Sequence, residues 1–235
     1  VKAITHSSFY LADDTFEPRF RRLFLALLKK IPPRSIFFDI GANVGLYTWL
    51  AAGMRNDLKI IAFEPDPENF RLLTKTAQAW QSDNVRLYQM ALSDDCGSAT
   101  FERDEITSAT GSLAQGGSFA EKHFNTLGEK IRVQTTTLDI VASEEGMPAI
   151  IKIDVEGHEA KVFAGASHTI QKACPVIFFE RWGPVSDIPK LSQCEYILFD
   201  ADHGGVPNAR TRNYVAVRAG SPLEMVVREH LSAGD

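Results

Sequence analysis

Phe37-Phe-Asp-Ile-Gly-Ala-Asn-Val-Gly45 is the stretch on which the reading turns. An apolar strand over 36–40 delivers Asp39, Gly41, Asn43 and Gly45 into a tight turn that opens a helix over 46–53. Glycine at 41 and 45 lets the backbone come close to a ligand without a Cβ in the way, and the first N–H groups of the helix point at whatever is bound. Nineteen residues past Gly45 a second apolar strand ends in Glu64-Pro65-Asp66. An acid at that point can accept both hydroxyl hydrogens of a ribose. Glycines alone would be explained by the sterics of a strand-turn-helix junction; glycines together with the spaced acid point to a nucleoside. Asn43 stands where the dinucleotide fingerprint G-x-G-x-x-G needs its second glycine, which counts against a pyrophosphate and against a nicotinamide dehydrogenase.

Outward from this turn, short apolar runs alternate with helical patterns, the mark of βαβ units. Seven strands are expected at 36–40, 59–64, 85–91, 150–154, 176–180, 196–199 and 214–218, with helices near 46–53, 67–80, 158–164, 166–173 and 223–231. The connection between the last two strands, through Gly204-Gly205 and Pro207-Asn208, is too short for a crossover helix. That pair must be antiparallel. The fold class is therefore α/β: a doubly wound, seven-stranded, mainly parallel sheet with a terminal antiparallel hairpin.

Two departures interrupt the regular pattern. Residues 1–34 read as an N-terminal helical segment ended by Pro32-Pro33, whose apolar stripe packs on the body of a single domain over 35–235. Between the third and fourth strands, at about 96–136, lies an insertion in which 98–101 and 131–135 read as strands around the Gly/Ser-rich stretches Thr110-Gly-Ser-Leu113 and Gly116-Gly117-Ser118. Loops of that length tend to cover sites, so it is read as a cover.

Composition bounds the rest. The chain has 235 residues, 44% hydrophobic and 23% charged, which is the balance of an ordinary globular protein. No apolar run approaches the roughly 18 residues of a membrane span, and the chain is expected to be cytoplasmic. Its formal net charge of −5 offers no long-range attraction to nucleic acid. Cys96, Cys174 and Cys194, odd in number and widely spaced, read as reduced structural thiols.

The pattern D-x-G-x-N-x-G with Glu64 resembles the first motif and post-strand-two acid of class I S-adenosylmethionine-dependent methyltransferases. Ala91-Leu-Ser-Asp94, Thr110-Gly-Ser-Leu113, Thr137-Leu-Asp139 and Ile151-Lys-Ile-Asp-Val-Glu-Gly-His-Glu159, followed by Val162-Phe-Ala-Gly-Ala166, are similar to the FkbM family of methyltransferases. The resemblance covers about residues 36 to 182. It implies S-adenosylmethionine as cofactor, S-adenosylhomocysteine as product, and O-methylation of a sugar or natural-product hydroxyl. Under it Asp39 holds the methionine ammonium directly or through water. Gly41, Asn43, Gly45, Glu64 and Pro65 shape the cofactor site, and Ala91, Leu92 and Ser93 surround the adenine.

Asp154 and Glu156, with His158, are expected at the methyl group as catalytic residues, because they stand at the carboxyl edge where open α/β sheets bind ligands. Ser112, Glu180 and Trp182 are expected to meet the substrate, while Tyr47, Trp49 and Trp80 read as core. Asp154, Glu156, Glu180, Asp202 and His203 could instead coordinate a divalent ion; none falls at a defined ligand spacing, and a site without metal is the preferred reading. Two other functions fit the same pattern: a nucleoside-binding module without catalysis, and a nucleic-acid methyltransferase. The second lacks an N-P-P-Y-like stretch, its place being taken by Asp154-Val-Glu-Gly157. The acceptor and the oligomeric state are not legible.

Overall fold

A computed structural model describes residues 17–103, 111–113, 129–181, 191 and 194–232. Its main sheet is built from β1 (Ile36–Ile40), β2 (Lys59–Phe63), β3 (Val85–Tyr88), β7 (Ile150–Ile153), β8 (Val176–Glu180), β9 (Tyr196–Asp200) and β10 (Asn213–Arg218). The strand order is β3-β2-β1-β7-β8-β10-β9. All neighbours run parallel except β10, which is antiparallel to both β8 and β9. The order reverses between β1 and β7, and such switch points open a crevice at the carboxyl ends of the strands.

The strands are apolar on both faces because both faces are covered. Phe37, Ile60, Ile150, Phe178 and Val215 pack on one side of the sheet; Phe38, Ile61, Ile151, Phe179 and Ala216 pack on the other. The first side is closed by α1 (Pro18–Leu28), α2 (Leu46–Met54) and α7 (Pro222–Ser232). Phe24 of α1 lies 5.1 Å from Phe37, 5.1 Å from Tyr47 and 5.6 Å from Phe178, the last two edge to face. Rings that meet edge to face gain about 0.5–1.5 kcal/mol beyond their burial. The apolar stripe of the N-terminal helix is thus spent on the sheet.

The opposite side carries α4 (Leu138–Glu145), α5 (Glu159–Ala164) and α6 (Ser167–Ala173), while α3 (Pro67–Trp80) follows β2. Helix α4 was not among the expected elements. Thr137 caps it by accepting from the Ile140 amide, and Asp139 accepts from the amides of His168 and Thr169, so it caps the neighbouring helix α6 as well.

Three expectations need correction. The third strand does not run to residue 91: it leaves the main sheet after Tyr88, and β4 (Ala91–Leu92) pairs instead with β6 (Lys130–Thr136). With β5 (Gly97–Glu102) these form a second, three-stranded sheet of order β4-β6-β5. The inserted segment is therefore rooted at both ends in a sheet of its own. Trp80 is not core; 56% of its surface is exposed, with one side of the ring 5.6 Å from buried Trp49. Helix α1 ends at Leu28, before the two prolines. Among the described residues no helix is long and apolar enough to cross a membrane, and all three cysteines are free thiols.

Candidate active site

The turn after β1 is shaped for close approach. Gly41 has φ +74°, and a Cβ built on it would lie 1.8 Å from the carbonyl oxygen of Asp154. Any side chain there would push the β1 turn away from the end of β7. Asn43 has φ 53° and Gly45 φ 95°, so with Gly41 the chain enters the left-handed region three times before α2 begins. Asparagine tolerates this region and glycine adopts it freely.

Glu64, at the end of β2, ties the turn down. Its Oε2 accepts the Asn43 amide hydrogen at 2.7 Å and its Oε1 accepts that of Asp66 at 2.8 Å. Each carboxylate oxygen retains further acceptor capacity after one bond. Burial raises the Glu64 pKa to about 8, against the opposing effect of the two amides. Asp66 then caps α3 through the amides of Glu68 and Asn69 and accepts Arg103 Nε at 2.7 Å.

These groups wall a crevice of about 690 Å³, open to solvent. One wall holds Gly41, Asn43, Glu64, Pro65 and Asp66; the other holds Asp154, Val155, Glu156 and His158; Ala91 and Leu92 line it further along. Phe101, Gly111 and Leu113 reach it from the second sheet. Two polar contacts fasten that sheet across the opening. Arg103 joins Asp66 on one wall, and Ser112 Oγ donates to the Glu156 carbonyl at 2.7 Å on the other. Ser112 is buried and its backbone pairs with Glu102 in both directions. Its hydroxyl supports the Glu156 turn, which has φ 50°.

The structure separates the other expected residues into two groups. Asp154, Glu156 and Glu180 come together: each offers a carboxylate oxygen within 4.8 Å of the others. His158 does not join them through a hydrogen bond; its Nε2 lies 2.9 Å from Ser93 Oγ. The Ser93 hydroxyl donates to Asp94 Oδ1, so the imidazole must donate from Nε2. Burial, with Lys161 nearby, pushes the His158 pKa down, against Asp94 and Asp95. Trp182 lies outside the described residues.

Asp39 has partners that its motif does not show. It is fully buried and does not line the crevice. Its Oδ2 accepts from Thr48 Oγ1 at 2.6 Å, and its Oδ1 lies 3.7 Å from Lys152 Nζ. A motif pattern reports residue type and spacing, and does not show that a lysine on the adjacent strand stands beside this carboxylate. Asp202 and His203 also have local partners. Asp200, fully buried, accepts from the amides of Asp202 and His203 and from Thr211 Oγ1, while Asp202 accepts from the amides of Arg212 and Asn213. These bonds close the β9–β10 connection. Glu159 accepts from the Gly157 amide, a local tie of the same kind.

The profile described as the methyltransferase FkbM domain matches residues 39–203. The hexuronic acid methyltransferase AglP of Haloferax volcanii is 27% identical over 152 residues, 64% of this chain and 58% of that protein. The 2-O-methyltransferase NoeI of Sinorhizobium fredii is 29% identical over 160 residues, 64% of each chain. The present chain thus spans under two thirds of the length of either relative. In fold it resembles the crystal structure of methyltransferase FkbM from Methylobacillus flagellatus, with a TM-score of 0.53 at 13% identity over 85% of this chain and 58% of that one. Because the profile runs through well over half of the sequence, including the turn after β1 and the Asp154 stretch, this chain belongs to the FkbM methyltransferase family.

Proposed function

We propose that the protein transfers a methyl group from S-adenosylmethionine to a hydroxyl of a small glycosyl or natural-product molecule. The observation that carries this reading is Glu64: a buried carboxylate on the crevice wall, fixed by two amides and with acceptor capacity left on both oxygens. A ribose diol suits that pair of acceptors. Gly41 leaves open the place where a Cβ would meet the Asp154 carbonyl, so the two walls can stand close on either side of a ligand. The names of the two relatives, one acting on a hexuronic acid and one forming a 2-O-methyl group, support oxygen as the acceptor atom.

When bound, the cofactor supplies an electrophilic sulfonium methyl. The chain's own residues do the rest. Glu64 holds the ribose, Gly41, Asn43 and Gly45 give backbone access, Pro65 borders the ribose, and Ala91 and Leu92 line the adenine end. Ser93 orients His158 on the same wall. Asp154 and Glu156 stand where an attacking hydroxyl must shed its proton as the new bond forms, which is general-base work. Glu180, beside them, orients the acceptor. Holding the nucleophile in line with the methyl group supplies much of the rate. We write the reaction without a resident metal, and EDTA is expected to leave turnover unchanged.

The test has two stages. Calorimetry with S-adenosylmethionine and S-adenosylhomocysteine should show one site on the protein. Incubation with methyl-labelled S-adenosylmethionine and a panel of methyl glycosides and hexuronides should then place label on an oxygen, and Asp154→Asn with Glu156→Gln should abolish transfer while leaving S-adenosylhomocysteine bound. Binding without transfer to any hydroxyl in the panel, or label on nitrogen or carbon, would contradict the proposal.

A further inference from the structure

Asp154, on the crevice wall, heads a run of three charges whose two buried members, Lys152 and Asp39, have no direct use in methyl transfer. Lys152, on β7, is buried, and its Nζ lies 3.1 Å from Asp154 Oδ2 and 3.7 Å from Asp39 Oδ1. It also sits 5.2 Å from the centre of the Tyr47 ring. An ammonium taken out of water is costly unless anions surround it. Burial alone would lower the Lys152 pKa, yet Asp154 and Asp39 outweigh it and hold the group well above its ordinary value. At Asp39 burial is the larger effect and leaves the pKa raised, with Lys152 and the Thr48 hydroxyl working against it in favour of the anion. Its Oδ1 has no hydrogen-bond partner among the described residues, so Lys152 is the charge that compensates it.

Asp154 is the member of this run that reaches the crevice wall. Other groups that act on it or stand beside it are Glu17, Tyr47, Glu156, Glu159 and Glu180. Four of these are carboxyl groups, Tyr47 is a phenol that burial keeps from ionising, and Arg181 stands 3.6 Å from Glu159; among the described residues Lys152 is the cation that pairs with Asp154 itself.

We propose that Asp39 and Lys152 form a fixed charge pair that sets how much of the negative charge of Asp154 reaches the bound ligand, and thereby the preference of the site for a sulfonium over a neutral thioether. Asp39 is then a specificity-determining residue acting through Lys152. This rests on the proposed function, because S-adenosylmethionine and S-adenosylhomocysteine share every charged group except the positive sulfur. A ligand that differs by one charge reads the local field directly, and a packing defect does not imitate the sign of that reading.

Calorimetry at pH 8 on wild type, Asp39→Asn, Lys152→Met and Lys152→Arg tests it through the ratio of the dissociation constant of S-adenosylhomocysteine to that of S-adenosylmethionine. Removing the Asp39 charge should lower the ratio about fivefold, removing the Lys152 charge should raise it about fivefold, and arginine should hold it within twofold. Should Lys152→Met fail to give a cooperative melt, the fall in Asp39→Asn and the constancy in Lys152→Arg decide the matter. Shifts in the same direction, no shift beyond 1.5-fold in a folded Asp39→Asn protein, or an equal loss of both ligands in that variant would overturn the charge pair. Wild type that binds neither compound would instead overturn the proposed function, and with it this inference.

Discussion

Glu64 Oε2 accepts the main-chain hydrogen of Asn43 across 2.7 Å, joining the turn after β1 to the end of β2. The geometry makes one unit of two loops that the chain separates by 21 positions. Glycine turn and acid are thus held at a fixed spacing before any ligand arrives, which is preorganisation in the sense that matters for affinity.

This carboxyl gives the first expected outcome. Its pKa rises from 4.5 to about 8 because burial disfavours the charged form. An acid raised on folding stabilises the folded state below its unfolded pKa, and that contribution is lost as pH climbs through the folded value. Glu64→Gln loses one amide contact at every pH, since its NH₂ group faces an N–H donor, but escapes the cost of ionisation. The melting temperature of the variant relative to wild type should therefore improve between pH 5 and pH 9 in ligand-free protein. A difference that is flat or falls with pH would contradict this.

Glu145 gives the opposite sign. Burial pushes its carboxyl up, but hydrogen bonds from Lys59, Tyr88 and Arg86 prevail and hold it at about 2. Lys59 Nζ is 2.6 Å away, Tyr88 Oη 2.5 Å and Arg86 Nη1 2.8 Å, so α4 is pinned to β2 and β3. This stability is present above pH 4.5 and lost as pH falls toward 2. With Arg86 largely exposed, Glu145→Gln should cost about 1–3 kcal/mol at pH 7, and urea denaturation should show the gap narrowing by pH 3.5.

Gly41→Ala is expected to fail structurally. The added methyl would meet the Asp154 carbonyl at 1.8 Å, at a φ that L residues rarely adopt. A loss of more than about 2 kcal/mol by urea unfolding is expected. Wild-type stability in the variant would mean that the β1 and β7 ends do not meet as described.

The two fastenings of the second sheet should govern how long a ligand stays. Ser112→Ala removes the bond to Glu156, and Arg103→Met removes the one to Asp66. Each hydrogen bond is worth about 1 kcal/mol net, so stopped-flow dissociation of S-adenosylhomocysteine should quicken about fivefold in either variant. Unchanged off-rates in both would make the sheet a bystander.

Much of this was readable before any coordinates. The seven main strands, the closing hairpin and the residues of the β1 turn follow from apolar periodicity and from glycine and proline chemistry, which are local. What escaped depends on contacts across the chain. Nothing in Val85–Ala91 shows that Ala91 will find Thr135 in a different sheet. The helix at Leu138–Glu145 hid behind the β-branched pair Ile140-Val141, although Thr137 was available as its cap. The pairing of Asp39 with Lys152 was hidden because the two are 113 positions apart. The bond of Ser112 was hidden for the same reason: its acceptor is a carbonyl on the opposite wall. Arg103, which no motif singled out, carries the other fastening, and only its charge beside Asp66 would have hinted at it.

The central claim is that Glu64 grips the ribose of an adenosyl ligand whose sulfur faces Asp154. A crystal structure of the protein with S-adenosylhomocysteine tests it most directly. Both ribose hydroxyls within hydrogen-bonding distance of the Glu64 carboxylate, and the sulfur turned toward Asp154, is the expected result. The compound lodged elsewhere, or in the crevice with its ribose away from Glu64, would contradict it.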